Sequence, residues 1–141
     1  LSDRGGRPHL ASDIAAPRGT PVLAATSGTV LRVGQNRLGG NMIYATDARG
    51  ELVYYYAHLQ SFSTGLRAGA AISRGQILGT VGTTGNAPQN HPHLHFQVML
   101  RRSDGSIYGG EPLDARPYLR LPGAPSYRAA PGEAVSLAAP R

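Results

Sequence analysis

His91-Pro92-His93-Leu94-His95-Phe96, running on as Gln97-Val98-Met99-Leu100, places three of the chain's five histidines within five positions. Phe96, Val98, Met99 and Leu100 read as a largely buried β-strand. Successive strand side chains point to opposite faces, so residues two apart share a face at roughly 6.5–7 Å. His93 and His95 are therefore expected side by side, with Leu94 and Phe96 turned into the core. One such imidazole can bind a metal while its neighbour handles protons. Taken alone, the stretch fits a surface histidine cluster equally well. Partners elsewhere in the chain have to decide.

The chain has 141 residues, enough for one domain with a single core. With 19 Gly and 11 Pro it favours short elements joined by tight turns. It has no Cys, so a metal has to be held by His and carboxylates. The net charge of +6 comes from Arg, there being no Lys. Such a balance suits an anionic polymer: nucleic acid, a membrane surface or a cell-wall polymer. The arginines are scattered and form no helical or aromatic-interleaved patch, so nucleic acid is not expected as a partner. No apolar run reaches the roughly 18–20 residues of a membrane span. No signal peptide is visible, and a start at Leu1 suggests a processed or excised piece.

Ahead of the histidine stretch the chain reads as strand after strand. Val22–Ala25, Thr29–Val33, Met42–Thr46, Glu51–Leu59, Ala71–Ile72 and Gln76–Gly82 recur at about ten-residue spacing with Gly turns between them. This pattern predicts an all-β fold: a compact antiparallel sandwich or barrel-like sheet of short strands, long loops around a metal cleft and little helix. Residues 34–41 read as a Gly/Asn loop, Asp47–Gly50 as a turn and Ser103–Ser106 as a hairpin turn. The Gly/Thr/Asn run 82–92 either lines a cleft or simply connects. Glu111–Leu119 reads as a closing segment with one helical turn. The division expected is a domain over 1–120 and a Pro/Ala-rich tail over 121–141, either wrapped on the domain or disordered.

Two further candidates precede the stretch. His9 and Asp13 are separated by four positions, and Pro8 and Pro17 leave little room for a helix between them. On a straight strand they would lie roughly 13 Å apart, so the chain must bend if both bind one ion. His58 closes the aromatic run Tyr54-Tyr55-Tyr56-Ala57. A zinc hydrolase needs three protein ligands and an open position. The metal drops the pKa of water from about 15.7 to about 7. There is no H-E-x-x-H, so histidines must do the proton work. His9, Asp13 and one of the strand pair can ligate, leaving His58 and the other for catalysis.

Together these segments resemble the lysostaphin-like, LytM-type zinc metallopeptidases of bacterial cell walls. The resemblance rests on His9-x-x-x-Asp13 with Ile-Ala-Ala-Pro-x-Gly-Thr-Pro-Val, Tyr56-Ala-His58-Leu59, Gly75-Gln76-x-x-Gly79-x-Val81-Gly82-x-Thr84-Gly85-Asn86, and Pro92-His93-Leu94-His95-Phe96. These occur in the family's order across roughly residues 9–119. The resemblance implies Zn²⁺ held by His9, Asp13 and His95. It also implies that His58 and His93 orient the attacking zinc-bound water, take its proton and stabilise the oxyanion. The implied substrate is a peptide of peptidoglycan, in cross-links or stem peptides, and the implied location is the cell envelope of an exported protein. Ala11 stands where the family commonly has Gly, which affects the cleft shape near His9. His91 receives no task and is expected in the rim loop. The rival reading is a non-catalytic or autoinhibited wall-binding module of the same fold; a third is a metalloprotease for another polymer, such as an elastin-like protein.

Overall fold

The computed structural model describes residues 10–119, 126–128 and 132–140. Along the chain lie β1 (Ser12–Ala15), β2 (Pro21–Leu23), β3 (Gly28–Asn36), β4 (Gly40–Asp47) and β5 (Leu52–Phe62). They are followed by β6 (Ala71–Ile72), β7 (Ile77–Val81), β8 (His93–Leu100), β9 (Pro112–Leu113), a 3-10 turn at Arg116–Tyr118, and β10 (Ser126–Arg128). The main sheet path runs β10-β1-β8-β5-β4-β3-β6, while β9 adds to β8 and β7 links β5 to β2. These strand pairings are antiparallel apart from β1 with β10. The all-β expectation holds, and the closing segment carries its single turn as a 3-10 helix. Among the described residues no helix is long and apolar enough to cross a membrane.

Alternation on β8 and β5 builds the core. Leu94, Phe96 and Val98 are fully buried, as are Tyr54 and Tyr56, while His95, Gln97 and Tyr55 occupy the opposite face and are only half-buried. Burying one such Leu or Phe side chain is worth roughly 1.5–3 kcal/mol. The same cluster takes in Ile14 from β1, Val22 from β2, Leu78 and Val81 from β7, and Tyr118 and Leu119 after β9. Tyr56 keeps its hydroxyl satisfied by accepting the Ala25 backbone N–H at 3.1 Å, and burial pushes its ionisation well above the ordinary tyrosine range. Val135 and Leu137 near the C-terminus are buried in this core too.

Three sequence expectations change in detail. Residues 34–41 are mostly strand: Gly34 pairs with Met42, Gln35 with Asn41 and Asn36 with Gly40. The turn needs only residues 37–39 because Asn36 Oδ1 accepts the backbone N–H groups of Leu38 and Gly39 at 3.1 and 2.7 Å. Residues 103–106 do turn, with the Gly105 N–H donating to Arg102 O at 2.9 Å. They sit, however, inside a longer loop between β8 and β9 rather than in a tight hairpin. Finally, β5 does not close at Leu59 but continues to Phe62, pairing with β7 through Leu59–Val81 and Phe62–Gly79. A bulge at His58 lets one strand serve both partners.

Candidate active site

Strand register assembles the site. Asp13 on β1 pairs with His95 on β8, and His95 pairs with Ala57 on β5; one step along, Ala15 pairs with His93. Ser12, Ile14, Leu94 and Phe96 face the core, so Asp13, His93 and His95 share the outer face. Asp13 Oδ1 lies 3.0 Å from His95 Nδ1 and 4.0 Å from His93 Nε2. Beside them is a cavity of about 310 Å³ lined by Leu38, Tyr55, Ala57, His58, Asn86, His95 and Gln97, among others.

Ala57 and His58 are adjacent in sequence, yet both line this cavity, which strict alternation forbids. Between the pairs Ile43–Tyr56 and Asn41–Leu59, β5 spends one residue more than β4. The extra residue is His58, whose φ of +65° lies in the left-handed region. Its backbone N–H donates to Gly39 O at 2.7 Å, and its Nδ1 lies 2.7 Å from Thr84 O. The bulge thus turns onto the site face a ring that a regular strand would have sent into the core.

The loop after β7 holds Thr84 in place. Thr84 Oγ1 donates to Leu59 O at 2.8 Å and accepts the Asn41 N–H at 3.0 Å, and the Asn86 N–H donates to Leu38 O at 3.0 Å. At Gly40 (φ +65°) an added Cβ would meet Thr84 C at 2.3 Å, and at Gly85 (φ +73°) it would meet Gly40 N at 2.3 Å. Glycine at these two positions is what lets the two loops touch backbone to backbone. Of the two readings of 82–92, the cleft-lining one is correct, since Asn86 lines the cavity.

A backbone carbonyl only accepts, so the Thr84 contact places the His58 proton on Nδ1 and leaves Nε2 as the basic atom. His93 is arranged likewise, with Nδ1 2.9 Å from His91 O. His91, exposed in the rim loop as expected, therefore contributes its backbone. The His58 and His93 rings lie 5.0 Å apart, and both residues are buried. Burial is the main cause holding the His58 pKa below the ordinary value; the His93 and His95 charges act in the same direction, and the Thr84 carbonyl and Asp13 oppose them.

The donor chemistry suits a divalent cation. A carboxylate oxygen and an imidazole nitrogen converge at 3.0 Å on a half-buried face, the kind of N/O set zinc takes. Among the described residues no group of three or more His, Cys, Asp or Glu is assembled for a metal. His9, the third expected ligand, lies outside the described residues. Four of the five expected site residues, Asp13, His58, His93 and His95, are thus gathered on one face. Asn41 and Gln97 were given no role from sequence, and Thr84 was named there only as part of the Gly/Thr/Asn motif. Gln97 carried a usable signal in its two-residue spacing from His95.

A model described as Peptidase family M23 matches residues 7–113. The L-Ala--D-Glu endopeptidase of Bacillus subtilis (strain 168) is 37% identical over 97 residues, 65% of this chain and 29% of that protein. Lysostaphin of Staphylococcus simulans is 34% identical over 124 residues, 87% of this chain and 23% of lysostaphin. The chain thus spans under a third of the length of either relative. The solved catalytic domain of lysostaphin superposes with a TM-score of 0.69 at 33% identity, covering 84% of this chain and 83% of that one. A zinc-containing peptidase from Vibrio cholerae gives a TM-score of 0.62 at 31% identity over 77% of this chain and 30% of that one.

Proposed function

Because the chain belongs to peptidase family M23, we propose that it is a zinc-dependent endopeptidase cutting peptide cross-links or stem peptides of peptidoglycan in the cell envelope. The observation that carries this reading is the convergence of Asp13 and His95 at 3.0 Å with His93 and His58 on the same face. Asp13, His95 and His9 would hold the metal, which when bound supplies a Lewis acid for the scissile carbonyl and an acidified water. Burial favours the neutral form of His58 and the Thr84 carbonyl fixes the ring through Nδ1, so Nε2 is the atom that would accept a proton. His93, fixed through its own Nδ1, keeps Nε2 on the site face 4.0 Å from Asp13 Oδ1, where the ring shares with His58 the work of taking the proton and stabilising the developing oxyanion. Both rings are locked by backbone carbonyls, so neither has to be ordered during the reaction.

The names of the relatives support the substrate class: besides those above, the Vibrio cholerae peptidoglycan DD-endopeptidase ShyC is 34% identical over 92 residues, 65% of this chain and 20% of that protein. A net charge of +6 suits an anionic envelope polymer. The test is release of peptides from purified sacculi. Release is expected to need zinc, to stop with a chelator, and to fall to background in His95→Ala. Zinc-loaded protein that binds sacculi normally and releases nothing refutes the enzyme and leaves a wall-binding module.

A further inference from the structure

Gln97 stands two residues after His95 on the same face of β8, opposite Tyr55 on β5. Its Oε1 lies 3.0 Å from His95 Nε2, while Asp13 Oδ1 lies 3.0 Å from His95 Nδ1. An amide oxygen and a carboxylate oxygen only accept, and a neutral imidazole carries one N–H. A neutral His95 therefore cannot donate to both. One ring nitrogen has its lone pair turned toward an oxygen, an arrangement that a cation shared by the two atoms makes favourable. The anionic partner is Asp13 and the neutral one is the amide. That assigns the cation to the Nδ1 side and the proton to Nε2. Tyr55, T-shaped against the His95 ring at 6.0 Å, packs against the imidazole from β5.

We infer that Gln97 is a positioning residue: by accepting the Nε2–H of His95 it sets the tautomer that presents the Nδ1 lone pair, beside Asp13, to the metal. The inference rests on the zinc reading above. The competing arrangement has the amide turned over, with its NH₂ donating to Nε2. The ring proton then moves to Nδ1, where it bonds Asp13 and takes His95 out of the ligand set.

The test is zinc affinity by chelator competition for wild type, Gln97→Ala and Gln97→Glu, joined to long-range ¹H–¹⁵N NMR of the zinc-loaded protein. Gln97→Ala is expected to weaken zinc by about 10–100-fold, the usual cost of removing an outer hydrogen-bond partner of a ligand histidine. Gln97→Glu, whose carboxylate accepts the same N–H more strongly, is expected to restore it. In wild type the spectrum is expected to show His95 protonated at Nε2 and metal-shifted at Nδ1. The inference is overturned by Gln97→Ala binding zinc as tightly as wild type, by failure of Gln97→Glu to restore affinity, or by a proton on Nδ1. If wild type takes up no zinc at all, the zinc reading itself falls. If wild type binds and releases peptides while the Gln97 variants are indistinguishable from it, only the role of Gln97 falls.

Discussion

His58 is the only non-glycine residue with positive φ among the described residues, and a β-carbon in that region costs roughly 1–2 kcal/mol. Two short hydrogen bonds, to Gly39 O and Thr84 O, offset that strain. Burial favours the neutral ring, so the folded pKa lies below the ordinary value, whereas the unfolded chain titrates near 6.5. Between those two values the unfolded state holds more protons, so stability rises with pH. His58's share is fully present above about 6.5 and is lost as pH falls toward the folded value. The expected outcome in metal-free protein is a His58 Cε1–H NMR midpoint below about 6.5. His58→Asn, which tolerates the left-handed backbone, should flatten the urea midpoint's pH dependence in that window. A midpoint at or above the unfolded value would contradict the role given to burial. At this scale the gathering of His93 and His95 on one face was legible, since their two-residue spacing on β8 puts both on the same side of the strand. The conformation of His58 was not, because the carbonyls that hold it come from residues 39 and 84, remote in sequence.

The two loops that clamp Thr84 act as one element. Gly40 and Gly65 both have positive φ, but an added Cβ meets backbone at 2.3 Å at Gly40 and nothing within 4 Å at Gly65. Gly65→Ala should therefore cost only the left-handed strain of about 1–2 kcal/mol. Gly40→Ala should cost clearly more, since Thr84 and Gly85 must move, and that movement drags the carbonyl holding His58. Urea midpoints of the pair are expected to separate accordingly, with peptide release falling in Gly40→Ala and surviving in Gly65→Ala; equal midpoints would mean that the loops are not packed against each other. The succession of short β-rich runs at about ten-residue spacing, set off by Gly turns, placed β2 to β7 well. It misjudged 34–41 because Gly and Asn there signal a turn that Asn36 tightens to three residues, with the remainder paired as ordinary ladder. Composition cannot distinguish a glycine that turns a chain from one that admits a neighbouring backbone.

At the scale of the whole molecule, the last described residues are built into the core although the family match ends at 113. Val135 donates its N–H to Pro21 O at 2.8 Å and accepts the Leu23 N–H at 3.2 Å, so the tail extends the edge of β2. Leu137 bridges to Leu119, and the Ala139 N–H donates to Ala25 O at 2.7 Å. Few large apolar residues made 121–141 read as a Pro/Ala-rich tail, either wrapped on the domain or disordered; its described part is wrapped, with Val135 at 0% and Leu137 at 3% exposure. No described tail residue lines the cavity beside His95, so the tail and the site make different demands on the fold. A chain ending at Pro131 should lose roughly 1.5–3 kcal/mol for each of those two side chains. It should also uncover Val22 and Leu119. Against a typical total of about 5–15 kcal/mol, that loss is large. The truncated chain is expected to unfold at markedly lower urea yet, below its transition, to release peptides from sacculi at a rate close to that of the full chain, because Asp13, His58, His93 and His95 are positioned by β1, β5 and β8. An unchanged midpoint would show that the tail adds nothing to the fold, and a lost rate in a still-folded chain would show that the tail reaches the site.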